Sequence, residues 1–295
     1  MRSKDWPRFI FGQSVLAVCA LSLAGCRGSV PEQALSRPLP AVAGPAPAAK
    51  SGIWTFHPST ERRAYVLEQH AVLTINQDTT VRVDSVFSHA EVAFTSFAAT
   101  GRVTGWLSVF RVKGPAHEPT IPVGLVLPLA FSADYPAHGR QLVFSTAGAG
   151  APCASSGLAV AQSLRDLWFQ PPDTLRLGTT WDDSASYIIC RDGIPLRAIV
   201  QRTFHITGVE ERAGRLALLL SRSSRTAIEA EAQQLPGEAI SVSGLGTGEF
   251  SYAIDPSSGE ILSASGSAML DLMFRSRFRR QRVHQVSDTR LVRGA

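Results

Sequence analysis

The feature of this chain that most limits its fold is a two-residue alternation of apolar and polar side chains, repeated in segment after segment. In Glu249–Ile254, Phe250, Tyr252 and Ile254 share one parity and Glu249 and Ser251 the other. In Val200–Thr207, Val200, Phe204 and Ile206 oppose Gln201, Thr203, His205 and Thr207, with Arg202 breaking the apolar parity. Successive side chains of a strand point to opposite faces, so this is the period of half-buried β-structure. Residues 79–87, 105–112 and 122–131 are rich in β-branched and aromatic residues and also read as strands. Asp255–Glu260 and Glu210–Gly214 carry the Pro and Gly of tight turns between strand patterns.

One stretch reads as helix. Between Ser155 and Phe169, Ala161, Leu164 and Trp168 recur at helical spacing, Ser155 or Ser156 can cap the start, and Pro171-Pro172 stop the end. The expectation is a mainly β domain: a large curved antiparallel sheet, half-barrel or barrel-like, with one prominent α-helix that plugs or crosses it.

The folded part spans residues 52–293 as a single domain. Ahead of it, residues 27–50 hold five prolines and six alanines, a composition that builds no packed core. Extended at about 3.1 Å per residue, this segment reaches roughly 70 Å as a tether; an ordered arm wrapped on the domain is the alternative. Residues 1–25 have the form of an export signal, with Arg2, Lys4 and Arg8 before an apolar run from Phe9 to Gly25. That run is shorter than the roughly 20 residues of a membrane-spanning helix.

The run ends Leu23-Ala24-Gly25-Cys26, which resembles the lipobox of bacterial lipoproteins. The resemblance implies cleavage before Cys26, acylation of its sulfur and amine, and passage through the lipoprotein processing and sorting machinery. Two or three acyl chains would then hold the protein on a membrane, where one binds only marginally. Arg27 stands where the resemblance would put an inner-membrane retention Asp, so it favours the outer membrane if the organism has one.

Loss of Arg2, Lys4, Arg8 and Asp5 with the leader takes the formal net charge from +5 to about +3. This is too mild for bulk nucleic-acid binding, and no nucleic-acid partner is expected. Beyond Cys19, in the leader, and Cys26, the chain holds Cys153 and Cys190. In an exported protein such a pair reads as a disulfide, with free thiols or metal ligands as alternatives. The seven histidines have no metal-ligand spacing, and no metal or cofactor is expected. Gly244–Gly248 tempts a phosphate-loop reading, but a strand pattern follows where a helix is required, so a sharply bent β-segment is expected. No nucleophile elbow appears, Asp182 and Asp183 would point to opposite faces, and Glu229 and Glu231 lie in a polar stretch. No catalytic residue is assigned.

Arg275, Arg277, Arg279, Arg280 and Arg282 crowd one short stretch. Read as a strand, it lines Arg275, Arg277 and Arg279 along one side, opposite Phe274 and Phe278. This makes an anionic-surface contact, or else an ordinary solvated face. Export, lipidation and a curved sheet with one helix resemble, in layout only, the half-barrel lipoprotein carriers LolA and LolB, and the mature domain resembles uncharacterised envelope lipoproteins. The reading is a membrane-anchored envelope lipoprotein that binds an apolar or lipid-like ligand on a concave sheet. The alternatives are a non-enzymatic envelope assembly or scaffold subunit, and a periplasmic hydrolase.

Overall fold

The computed structural model describes residues 52–56, 60–77, 79–97, 102–114, 121, 125–134, 141–146, 164, 168–191, 194–212, 214–235, 238–277 and 280–294. The strands are β1 (Ile53–Thr55), β2 (Arg63–Gln77), β3 (Thr80–Phe97), β4 (Arg102–Lys113), β5 (Leu129–Asp134), β6 (Gln141–Thr146) and β7 (Thr174–Arg176). They continue with β8 (Thr180–Arg191), β9 (Ile194–Arg212), β10 (Arg215–Leu235), β11 (Glu238–Asp255), β12 (Glu260–Arg275) and β13 (Arg280–Arg293).

Eleven strands form a ring, β10-β11-β12-β13-β2-β3-β4-β5-β6-β8-β9, and β9 pairs with β10 to complete it. All neighbours are antiparallel except β6 and β8, whose seam holds only Gln141↔Ser184 and Leu142↔Ala185. An odd number of alternating strands cannot close without one parallel pair. A parallel pair needs a long crossover, and the chain supplies it between β6 and β8. Part of that crossover, β7, pairs with β1 in a separate two-stranded sheet.

The interior is the apolar parity of the sequence. Leu73, Leu107, Leu196, Phe204, Ile206, Leu218 and Ile254 are buried within one core cluster. Phe250, Tyr252 and Ile254 point inward together, as the alternation requires. Gly244–Gly248 lies in the middle of β11, in continuous register with both neighbouring strands. There the inner face is so crowded that a Cβ on Gly246 would stand 2.6 Å from the Met269 carbonyl oxygen. Gly214 and Gly259, with φ of +74° and +67°, sit in the two tight turns expected from sequence.

The crossover corrects the helix expectation. Most of residues 155–167 lies outside the described residues, and among the described residues there is no α-helix. Leu164 sits in a 3₁₀ turn and Trp168–Pro172 carries no regular structure. The expected plugging is present all the same. Leu164 and Trp168 are buried in the core, and Trp168 meets Phe94 at 5.6 Å and Phe131 at 5.3 Å between ring centroids. The next residue, Phe169, packs against Phe204 and Tyr252 instead. Adjacent side chains serving different walls is the habit of extended backbone, which explains why an apolar stripe at helical spacing need not be a helix.

One end of the barrel is sealed by charge. Arg215 reaches Asp255 at 2.5 Å and Glu260 at 2.6 Å, Arg293 reaches Glu260 at 3.1 Å, and Arg63 donates to the Ser258 carbonyl. β1 sits at this end: Ile53, Trp54 and Thr55 share a surface pocket with Arg215, Leu216 and the turn Asp255–Ser257.

Candidate ligand site in the barrel interior

Strand register arranges the inward side chains in rows around the barrel. One row runs through Tyr187, Ala198, Ile228, Leu272, Val283 and Ile75, and is apolar and buried. Nearer the sealed end, another runs through Leu220, Tyr252, Ala264 and Leu291 and is also apolar. Three rows between them mix polar side chains with apolar ones. The first carries Thr226, Gln285 and Asp84, the second Asp183, Arg202, Ser224 and Ser287, the third Arg222, Thr289, Gln69 and Ser88.

On the β8–β9 wall the polarity is satisfied. Arg202 donates from Nε to Asp183 Oδ1 at 2.5 Å and from Nη2 to Asp183 Oδ2 at 2.7 Å, with both side chains almost wholly buried. This is why Arg202 stands on an apolar parity: the two-pronged geometry matches the carboxylate and offsets the cost of burying two charges. Asp182 points outward to Thr203 Oγ1 at 2.7 Å, so the adjacent aspartates take opposite faces and form no acid–base pair. Arg222, one strand further, lies over the Phe250 ring at 4.3 Å.

The opposite wall, β12–β13–β2–β3, is looser. Gln69, Ser88 and Thr289 of the third polar row, Leu270 of the first and Leu67 opposite Leu291 all point inward yet are only half-buried. In the first of these polar rows Gln285 and Asp84 flank Leu73, and each is buried with one oxygen, Gln285 Oε1 and Asp84 Oδ2, that has no hydrogen-bond partner among the described residues. The other Asp84 oxygen accepts from Arg82 at 2.8 Å. Buried acceptors without partners are rare in proteins and mark places where a donor from water or ligand belongs. The sequence signal for this site was present but unread: polar residues on the inward parity of otherwise apolar strands.

The residues singled out from sequence lie elsewhere. Cys26 and Cys153 are outside the described residues, as is the side chain of Cys190, whose backbone is in β8 opposite Pro195. The arginine stretch is not one strand. β12 ends at Arg275 and β13 begins at Arg280, so Arg277 lies in the hairpin turn and Arg279 is outside the described residues. Phe274 packs against the core as expected; Phe278 is outside the described residues. No group of three His, Cys, Asp or Glu residues among those described is placed to hold a metal.

No protein-family model and no curated protein matches the chain. Among solved structures it is similar to the Pseudomonas aeruginosa OccK2 (OpdF) complex with glucuronate, at 8% identity over 82% of this chain and 100% of that one, with a TM-score of 0.23. It is also similar to a DUF1329 family protein from Desulfovibrio piger, at 11% identity over 78% of this chain and 86% of that one, with a TM-score of 0.15. At such scores the likeness carries no argument about fold detail or function.

Proposed function

We propose that the chain is a lipid-anchored envelope protein whose barrel interior binds a small amphipathic ligand. Export and anchoring rest on the lipobox resemblance at Cys26. The ligand reading rests on one observation: Gln285 and Asp84 are buried with acceptor atoms that find no partner among the described residues, and half-buried Leu270 stands opposite Gln285. Apolar Leu67 and Leu270 would take the hydrocarbon part, and Gln285 and Asp84 would accept from hydroxyl or amine groups. Within the reading of an apolar or lipid-like ligand, this favours one that also carries hydrogen-bond donors. The barrel takes the place of the open concave sheet, since its ring of pairings is complete.

A scaffold role is the second reading, favoured by Trp168 and Phe169, which pack into the interior against Phe94, Phe131 and Phe204. Titration of residues 27–295 with a fluorescent monoacylglycerol separates them. Saturable binding at one site per chain, lost in Ser88→Phe with the melting temperature kept, supports the ligand site. No saturable binding supports the scaffold.

A further inference from the structure

The inward parity of β13, β2 and β3 carries five polar side chains. Thr289, Gln69 and Ser88 stand opposite one another from strand to strand, and Gln285 and Asp84 lie on either side of Leu73. Thr289, Gln69, Ser88 and Gln285 make no side-chain hydrogen bond among the described residues, and Asp84 uses only Oδ1, which accepts from Arg82 at 2.8 Å. The inward polar groups around them are engaged. Ser287, in the row between, donates to the Ala268 carbonyl, Arg202 holds Asp183, and Arg222 lies over the Phe250 ring. Folded chains leave few inward polar groups unpaired, so five on one wall mark a place for a partner from outside the chain. Gln69, Ser88 and Thr289 are half-buried although they face the interior of a ring of strands, which leaves open space in front of them.

The extent of this wall limits what can cover it. Gln285 and Asp84 stand two strand spacings apart, about 9.5 Å, and Gln285 and Thr289 lie about 13 Å apart along β13. A single hydroxyl or ammonium cannot serve groups spread so far. The kind of groups decides the rest. Ser, Thr and Gln side chains both donate and accept hydrogen bonds, whereas an ionised carboxylate only accepts. A phosphate head group would only accept, leaving Asp84 Oδ2 and the two Gln oxygens unmet. An ammonium would only donate, leaving the two Gln amide N–H groups unmet. A head group with several hydroxyls does both. Polar groups left unmet on binding are what make a site reject a mismatched ligand.

We propose that this wall holds a neutral polyhydroxyl head group such as a sugar, with the hydrocarbon chain along Leu270, opposite Gln285, and Leu67, opposite Leu291. The inference rests on the interior ligand site and names the class of amphipathic molecule that it takes.

Residues 27–295 contain the whole ring of strands, and they are titrated calorimetrically with four amphiphiles that share an eight-carbon chain, each kept below its micelle concentration. The four are octyl glucoside, 1-octanoylglycerol, octyl phosphate and octylamine. Octyl glucoside is expected to bind roughly tenfold or more tighter than the phosphate and the amine, with octanoylglycerol between. Thr289→Val with Gln69→Leu keeps the bulk of both side chains and removes their polar atoms, and should bring octyl glucoside down to the affinity of the charged pair at an unchanged melting temperature. Ser88→Ala adds no volume and should weaken octyl glucoside in the same direction if the double variant does not fold. Failure of all four to bind saturably would overturn the ligand site and the head-group class together. Saturable octanoylglycerol binding, with octyl glucoside no tighter than the phosphate or the amine, would overturn the class alone. A glucoside advantage that survives these substitutions would take the head group off this wall and overturn the proposal.

Discussion

Arg202 shows how one residue can violate a pattern and still obey the physics behind it. It sits between Val200 and Phe204 on the inward parity, paired two-pronged with Asp183. Removing one partner leaves a buried charge uncompensated, at about 3–5 kcal/mol. Arg202→Met should therefore lower the melting temperature by roughly 10 °C in a domain of this size. The double change Arg202→Met with Asp183→Leu should recover much of the loss, read by the same thermal melt. Asp255 behaves differently because its partner Arg215 is 39% exposed. Burial works against its charged form, but Ser257 and Arg215 hold its carboxyl below the ordinary range. A depressed folded value means the contribution is present above the unfolded pKa, near 3.9, and fades as pH falls through the lower folded value. Asp255→Asn should cost only about 1 kcal/mol after screening. Denaturant melts should show that difference at pH 7 and its progressive loss below about pH 4.

At the scale of elements, the strands were legible and the crossover was not. Period-2 alternation reports which face of a strand is buried, and the inward parity of Phe250, Tyr252 and Ile254 follows from it. It does not report the register with the neighbouring strand, so Asp183, directly opposite Arg202 on β8, could not be matched to it by sequence. The spacing of Leu164 and Trp168 reported burial correctly, but among the described residues no α-helix accompanies it, because buried apolar side chains recur at intervals in non-helical segments too. The arginine stretch failed for a related reason: β12 ends at Arg275 and β13 begins at Arg280, which interrupts what read as one strand. Trp168 is the test of the plug. Trp168→Ala removes contacts to Phe94 and Phe131 and should destabilise the barrel by about 3–5 kcal/mol in urea unfolding. A loss below 1 kcal/mol would mean the crossover merely rests in the interior.

At the scale of the molecule, the distribution of polarity decides the class. A barrel that spans a lipid bilayer turns apolar residues outward all round and polar ones inward. Here the core is apolar, and most outward residues, such as Gln201, Thr203 and His205 on β9, are polar and exposed. The outer face therefore suits water, and the proposed membrane attachment rests on Cys26 alone. Mass spectrometry of the mature N-terminus should show an acylated cysteine at that position, lost in Cys26→Ser; an unmodified residue there would remove the anchor from the account. The interior site is the central claim, and native mass spectrometry of residues 27–295, purified without detergent, tests it most directly. The account predicts a species heavier than the polypeptide by one small amphipathic molecule, which a Ser88→Phe chain does not carry. A wild-type chain that always appears at its bare polypeptide mass, including after incubation with envelope lipid extract, would contradict it.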